Sequence, residues 1–155
     1  MNQATIHTPA ADIITGGIPA EVRQAIIDQI HRYAYFCDTK QYRELPGLFS
    51  EDGVFDETCL GFPLIRGRAD LQKVFNVPSD KYIYFVHYIS NILFKSYDGE
   101  RATVMSYLRG EGILSSGARP SVLGYYDDLF VRRGDTWLIA TRRLVPFAPP
   151  SGFTV

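Results

Sequence analysis

The chain has 155 residues, enough for one domain with a sizeable core, and a formal net charge of −1 at pH 7. Its charges are scattered, so no basic stripe predicts nucleic-acid binding, and no apolar run approaches the ~20 residues of a membrane span. Ten Tyr and ten Phe residues suit both a core and a pocket for a flat apolar ligand.

The cysteines, the histidines and the N-terminus give few functional signals. Cys37 and Cys59 are too few for a disulfide scaffold, and reduced thiols favour a cytoplasmic protein. His7 and His31 form no metal-ligand set, and the glycines form no phosphate loop, so we expect neither metal nor cofactor. Residues 1–18 lack helical periodicity and the features of a signal peptide, which predicts a mobile N-terminal arm.

A long first helix is predicted from Pro19 to about Lys40, since apolar residues recur at helical spacing. Asp38 falls in its last turn, where the negative end of the helix dipole disfavours an acid. The residue also lies at the edge of the apolar stripe, so it is half-buried and needs a partner. His87 is the candidate partner.

The rest of the chain predicts short elements first and long strands afterwards. A second helix over residues 42–49 precedes a turn at 50–53, a strand from 54, a pairing segment at 60–65 and a helix after Gly67 with Leu71, Val74 and Phe75 inward. Four strands follow at 82–97, 101–114, 122–132 and 137–147, separated by Gly-containing turns. Helices followed by antiparallel strands predict an α+β domain over residues 19–147, with a curved sheet around the helices.

The strand around His87 carries apolar residues on both faces, so we expect protein on both sides. Alternation places His87, Ile89, Asn91 and Leu93 on one face. The other face offers a subunit interface for a homodimer or homotrimer, with Val86, Tyr88, Ile92 and Phe94 as candidates. His87 is either a structural histidine or a general base oriented by Asp38; Asp38 alone could also be a helix-end acid bonded to backbone.

Two acids stand inside the strand GYYDDLFVRR, where Asp is unusual. Tyr126, Asp128 and Phe130 share one face of this strand. One interpretation is cross-strand pairing of the acids with Arg109, Arg142 or Arg143. The other is that one of these arginines reaches the pocket and neutralises negative charge on a substrate.

Several motifs occur together in order: Tyr-x-x-x-x-Asp ending the first helix, LFSEDGVFD, His-x-x-x-Asn, and G-x-Y-x-D-x-F-x-R before W-x-I-x-x-R. This set resembles the SnoaL-like branch of the nuclear transport factor two-like superfamily over roughly residues 20–147. The resemblance implies a cone-shaped α+β fold with a deep apolar pocket. It does not identify the substrate, because this fold hosts many chemistries and also non-enzymes.

Three enzyme groups of this branch carry an Asp–His dyad, which the resemblance places at Asp38 and His87. Scytalone dehydratases have tyrosines where this chain has Cys37 and Glu57, and hexachlorocyclohexane dehydrochlorinase has a lysine at the place of Tyr33. Bile-acid 7α-dehydratases match at all three positions, Tyr33, Asp38 and His87.

The resemblance implies a cofactor-free, dehydratase-like lyase or isomerase for an apolar cyclic, steroid-like or polyketide-like molecule. His87 would remove a proton, Asp38 would orient His87, and Tyr33 would donate to the leaving hydroxyl or to a carbonyl oxygen. Candidate substrate-binding residues are Phe55, Asn91, Tyr107, Tyr126, Asp128, Arg142 and Phe147. The alternatives are an aldol cyclase of the polyketide-cyclase type and a non-catalytic binding module. Residues 148–155, rich in proline, form a tail that could close the pocket with Phe147 and Phe153.

Overall fold

The computed structural model describes residue 14 and residues 16–76 and 80–153. Most of the expected N-terminal arm and most of the break at 78–80 lie outside these ranges. The elements are α1 (Ala20–Asp38), a first 3₁₀ helix (Tyr42–Leu48), β1 (Phe49–Asp56), a second 3₁₀ helix (Thr58–Leu60), β2 (Ile65–Arg66), α2 (Arg68–Phe75), β3 (Tyr82–Tyr97), β4 (Arg101–Leu114), β5 (Ser121–Arg133) and β6 (Thr136–Pro146).

One curved, open sheet carries the fold, and its strand order is β2-β1-β6-β5-β4-β3. The helices cover one face, so the α+β class expected from the sequence is confirmed. The strands β3 to β6 are antiparallel, as expected, and the sheet as a whole is mixed because β1 runs parallel to β6. β1 and β6 are far apart in sequence, because the strands β3, β4 and β5 lie between them along the chain. No turn between neighbouring strands therefore indicates that β1 and β6 pair in parallel.

Three local elements differ from the sequence-based expectation. The helix after α1 is 3₁₀ and contains Pro46, which has no N–H for an α-helical bond. The expected turn at 50–53 is part of β1, whose register shifts between Phe49 and Val54. Gly53 permits this distortion, since a Cβ there would lie 2.9 Å from the Cβ of Phe49. Of the expected pairing segment 60–65, only Ile65 pairs with β1. The next residue, Arg66, pairs with β1 as well.

A bulge in β3 decides which residues face the helices. The register against β4 shifts between Ser90 and Leu93, and Asn91 has a φ of 48°. The extra residue reverses the alternation, so Phe94 turns into the core with 1% exposure, whereas Asn91 is exposed. The expected placement of Phe94 on the outer face, and of Asn91 beside His87, is therefore corrected.

The core lies between the concave face of the sheet and α1, and the two 3₁₀ helices and α2 also contribute residues to it. Ile26 and Ile30 of α1 are fully buried, and so are Leu45 and Leu71. Val74, expected inward, is exposed. Within the described ranges, no helix is both long and apolar enough to cross a membrane.

Candidate active site

A cavity of about 200 Å³ opens between the concave sheet face and the helices. Its wall is mostly apolar, and its polar side chains include those of Tyr33, Glu57, His87 and Tyr126. The remaining lining residues are Cys37, Tyr42, Leu45, Phe55, Leu60, Phe62, Val74, Phe75, Tyr82, Phe85, Leu108, Val122, Leu144 and Phe153. Such a wall fits a small apolar molecule that carries few polar groups.

Asp38 and His87 form a hydrogen-bonded pair at the edge of this cavity. Nδ1 of His87 lies 2.6 Å from Oδ1 of Asp38, and the His87 side chain is 10% exposed against 26% for Asp38. The backbone N–H of His87 also donates to both carboxylate oxygens, at 3.1 Å each. Since Nδ1 is engaged and the ring lines the cavity, Nε2 is the nitrogen left for a bound molecule.

Local structure explains why the two residues meet. Asp38 is the last residue of α1, and Lys40, with a φ of 59°, follows it in a turn. Nζ of Lys40 donates to the carbonyl oxygen of Tyr82 at 2.8 Å, which ties the end of α1 to β3. β3 is an edge strand, so no neighbouring strand accepts a hydrogen bond from the N–H of His87. The carboxylate of Asp38 accepts it instead.

Tyr33 and Cys37 lie one helical turn apart on α1 and both line the cavity. The Tyr33 ring meets the His87 ring edge to face, with centroids 6.2 Å apart. Burial, and next the neighbouring Cys37, raises the pKa of the Tyr33 hydroxyl well above its ordinary value. Burial likewise raises the pKa of the Cys37 thiol. Tyr33 is therefore a neutral hydrogen-bond donor, and Cys37 is not an activated nucleophile.

Asp128 and Arg142 form a sealed ion pair behind Tyr33 and Tyr126. Nε and Nη2 of Arg142 donate to the two oxygens of Asp128 at 3.0 and 2.7 Å, and both side chains are 0% exposed. The guanidinium lies 4.1 Å from the ring centre of Tyr33 and 4.3 Å from that of Tyr126. Burial opposes its charge, but Asp128 together with Tyr126 and Tyr33 raises the pKa of Arg142 overall.

Cross-strand register explains this pair, since Asp128 and Arg142 are directly opposite on β5 and β6. Of the three candidate arginines, Arg142 is therefore the one that pairs with Asp128 across the strands. Arg142 and Asp128 do not line the cavity, so neither touches a bound molecule there.

Two consecutive acids at the end of β1 have opposite surroundings. Oδ1 of Asp56 accepts from Thr58 N and Thr58 Oγ1, at 3.2 and 2.7 Å. The hydrogen bond from the Thr58 hydroxyl lowers the pKa of Asp56. Glu57 instead lines the cavity, and Oη of Tyr126 donates to its Oε1 at 3.3 Å. Burial raises the pKa of Glu57, although His87, Arg142 and the Tyr126 hydrogen bond oppose the increase.

The other expected substrate-binding residues divide between the two faces of the sheet. Phe55 and Tyr126 line the cavity. Tyr107 does not, because its strand neighbour Leu108 takes the cavity face. Phe147 packs on the rings of Tyr107 and Tyr125, with centroids 5.3 and 5.5 Å away, and does not cover the cavity. Asn91 lies at the β3 bulge, outside the lining.

The C-terminal tail is partly held against β5. Ser151 forms an isolated antiparallel bridge with Ser121, so the tail does not leave the sheet completely. Gly152 has a φ of 71°, and a Cβ there would lie 2.4 Å from the Arg119 carbonyl oxygen. This turn directs Phe153 onto Phe85, with ring centroids 6.0 Å apart, at the wall of the cavity.

Sequence reasoning named Glu57 only as a departure from a family tyrosine and assigned it no role. Glu57 follows β1 directly and starts the second 3₁₀ helix, so no alternation pattern predicts its direction. Across the described part of the chain, no group of three or more His, Cys, Asp or Glu side chains could hold a metal ion.

Comparisons with known proteins agree on the family. The sequence profile of the SnoaL-like domain matches residues 19–143. No curated protein matches the chain. A candidate aromatic ring hydroxylase from Novosphingobium aromaticivorans superposes with a TM-score of 0.81 at 28% identity, over 88% of this chain and 96% of that chain.

Two further solved structures share the fold at lower identity. A candidate scytalone dehydratase from the same organism gives a TM-score of 0.77 at 21% identity, over 87% of this chain and 89% of that chain. A hexachlorocyclohexane dehydrochlorinase, LinA type 2, gives 0.73 at 18% identity, over 83% of this chain and 86% of that chain. The chain therefore belongs to the SnoaL-like domain family.

Proposed function

We propose that this chain is a lyase or isomerase that uses its own side chains to remove a proton beside a carbonyl group in a small apolar cyclic molecule. The observation that carries the proposal is the 2.6 Å contact between Asp38 Oδ1 and His87 Nδ1. The carboxylate fixes the ring and stabilises the imidazolium, so Nε2 can act as the base. The fold shared with a candidate dehydratase and a dehydrochlorinase supports this class of reaction.

Tyr33 completes the proposed set. Its neutral hydroxyl would donate to the carbonyl oxygen of the substrate, where negative charge develops when the proton leaves. Arg142, whose guanidinium lies 4.1 Å from the Tyr33 ring centre, opposes the increase in the pKa of Tyr33 without lining the cavity. The arrangement suits an enolate intermediate, from which a leaving group departs or a double bond shifts.

The cavity volume narrows the substrate class. About 200 Å³ is below the roughly 300–1,000 Å³ of drug-sized sites. We therefore favour molecules of one or two rings over the steroid-like substrates implied by the family resemblance.

The test uses 3-hydroxycyclohexanone as a one-ring probe and follows the ultraviolet absorbance of cyclohexenone. Wild-type protein should form the enone, and His87→Gln should lower the rate by about a hundred- to ten-thousand-fold with its circular dichroism unchanged. Tyr88→Phe, an exposed neighbour on the same strand, serves as the matched control. Equal rates for wild type and His87→Gln would contradict the proposal.

We also propose that copies of the chain associate as a homodimer or homotrimer through the outer face of β3, where Val86 and Tyr88 lie and Tyr88 is exposed. Light scattering should give a multiple of the 17.5 kDa chain mass, and Tyr88→Lys should reduce it. A monomeric wild type at micromolar concentration would refute this assembly.

A further inference from the structure

Glu57 has a place in the cavity that Asp56, its neighbour in sequence, does not have. Glu57 starts the second 3₁₀ helix, but its side chain makes no capping hydrogen bond there. Asp56 takes that task by accepting from the backbone and the hydroxyl of Thr58. The Glu57 carboxyl is therefore free for the cavity, where Oε1 accepts from Tyr126 and Oε2 remains for a bound molecule.

We infer that Glu57 is the acid that protonates a leaving oxygen, so that the substrate is a cyclic β-hydroxy ketone or a close analogue. This inference rests on the proposed function, because it needs His87 as the base. Both side chains line the same small cavity and interact electrostatically. One molecule can therefore touch the base and the acid at once. Hydroxide is a poor leaving group and needs a proton, whereas a halide or a carboxylate leaves unaided.

The step balances in atoms and electrons. His87 takes the proton from the carbon beside the carbonyl, and that C–H electron pair becomes the new C=C bond. The C–O bond breaks with its pair on oxygen, and the Glu57 proton joins this oxygen to give water. The His87 imidazolium then returns a proton to the Glu57 carboxylate through the released water, and both groups are restored.

Groups from every side of the cavity determine the charge on Glu57. They are His87 on β3, Arg142 on β6, Tyr126 on β5 and Asp56 on β1. Three further groups face Glu57, which raises the pKa of each: Cys37 on α1, Cys59 in the second 3₁₀ helix and Tyr82 on β3. Burial in the apolar wall raises the pKa of Glu57 and favours the neutral acid. Tyr126 and Arg142 act when the proton leaves, since a hydrogen bond and a positive charge stabilise the carboxylate.

The first test needs no substrate. The infrared difference spectrum between wild type and Glu57→Gln at pH 7 should contain the C=O stretch of a protonated carboxyl in the wild type. Asp56→Asn, compared in the same way, should remove only carboxylate bands. Carboxylate bands in place of the protonated band for Glu57 would overturn the inference.

The second test separates the acid from the base with a pair of probes. 3-Hydroxycyclohexanone and 3-acetoxycyclohexanone both yield cyclohexenone, but acetate leaves without a proton. Glu57→Gln should slow the hydroxy probe by about a hundred- to ten-thousand-fold and leave the acetoxy probe near the wild-type rate. Equal slowing of both probes, or of neither, would overturn the role of Glu57. His87→Gln should slow both; if it slows neither, the proposed function itself fails.

Discussion

Two carboxylates, Asp38 and Asp128, each hold a cationic or potentially cationic partner, and both partners lie near the ring of Tyr33. Asp128 and Arg142 are 0% exposed and joined by two hydrogen bonds. Asp38 and His87 keep 26% and 10% exposure, and one nitrogen of the imidazole stays available. A sealed pair that does not line the cavity can only contribute to stability, whereas a pair with a free nitrogen at a cavity can do chemistry. The two carboxylates thus acquire different roles from their burial and their partners.

The largest expected effect comes from breaking the sealed pair. Asp128→Ala leaves the Arg142 charge buried and unpaired, so the free energy of unfolding should fall by about 3–5 kcal/mol. Asp127→Ala, which removes the partly exposed pair with Lys95, should cost only about 0–1 kcal/mol. Urea denaturation measures both variants, and equal losses would erase the distinction between sealed and exposed pairs.

Substitution of Asp38 in the Asp38–His87 pair should lower the catalytic rate and leave the free energy of unfolding nearly unchanged. In Asp38→Asn the amide can donate to Nδ1 of His87, which moves the ring proton to Nε2 and removes the base. Elimination from 3-hydroxycyclohexanone should slow by about a hundredfold or more, with unfolding little changed. Asp28→Asn on the exposed face of α1 is the control. An Asp38→Asn protein that unfolds early and retains its rate would reverse the roles of the two pairs.

Glu57 extends the comparison to a third carboxyl, which is half-buried without a directly bonded cation. Its native pKa is raised above the ordinary value of 4.5. Between these two pKa values the native state binds more protons than the unfolded state, so stability falls as pH rises through the window. Glu57→Gln lacks this titration. The unfolding free energy of wild type minus that of the variant should decline as pH rises from 4.5; a pH-independent difference would contradict the raised pKa.

The smallest expected effect comes from substituting Phe153, which lies at the cavity wall, and it is compared with substituting Phe147 on the outer face of the sheet. Phe153→Ala removes an apolar side chain from the cavity wall, so the hydroxy ketone probe should bind more weakly and its KM should increase by up to about tenfold. Phe147→Ala, on the outer face against Tyr107 and Tyr125, should leave KM unchanged. Equal KM values for wild type and Phe153→Ala would exclude a closing role for the tail.

The sequence predicted the elements that depend on periodicity. The apolar spacing of α1 and the turn signals between the long strands placed those elements within about two residues of their bounds. The misplacements at Asn91 and Phe94 have one cause, since a bulge reverses alternation and no turn residue marks it. The cross-strand alternative for Asp128 and Arg142 was correct because register alone decides it.

Other parts of the site depend on the packing of distant elements. The Asp38–His87 contact joins residues 49 positions apart. The position of Asp38 at the end of the first helix indicated that it needs a partner, and the family resemblance indicated the same pair, but no local pattern fixes the contact. The direction of Glu57 depends on Asp56 taking the hydrogen bonds of Thr58, a choice that composition does not show.

The central claim is that His87, held by Asp38, removes a proton beside a carbonyl group. Deuterium incorporation into cyclohexanone in heavy water tests this step alone, because no leaving group is needed. Mass spectrometry should show protein-catalysed exchange with wild type and with Glu57→Gln, and only the uncatalysed background with His87→Gln. Exchange by His87→Gln at the wild-type rate, above a background measured without protein, would contradict the account.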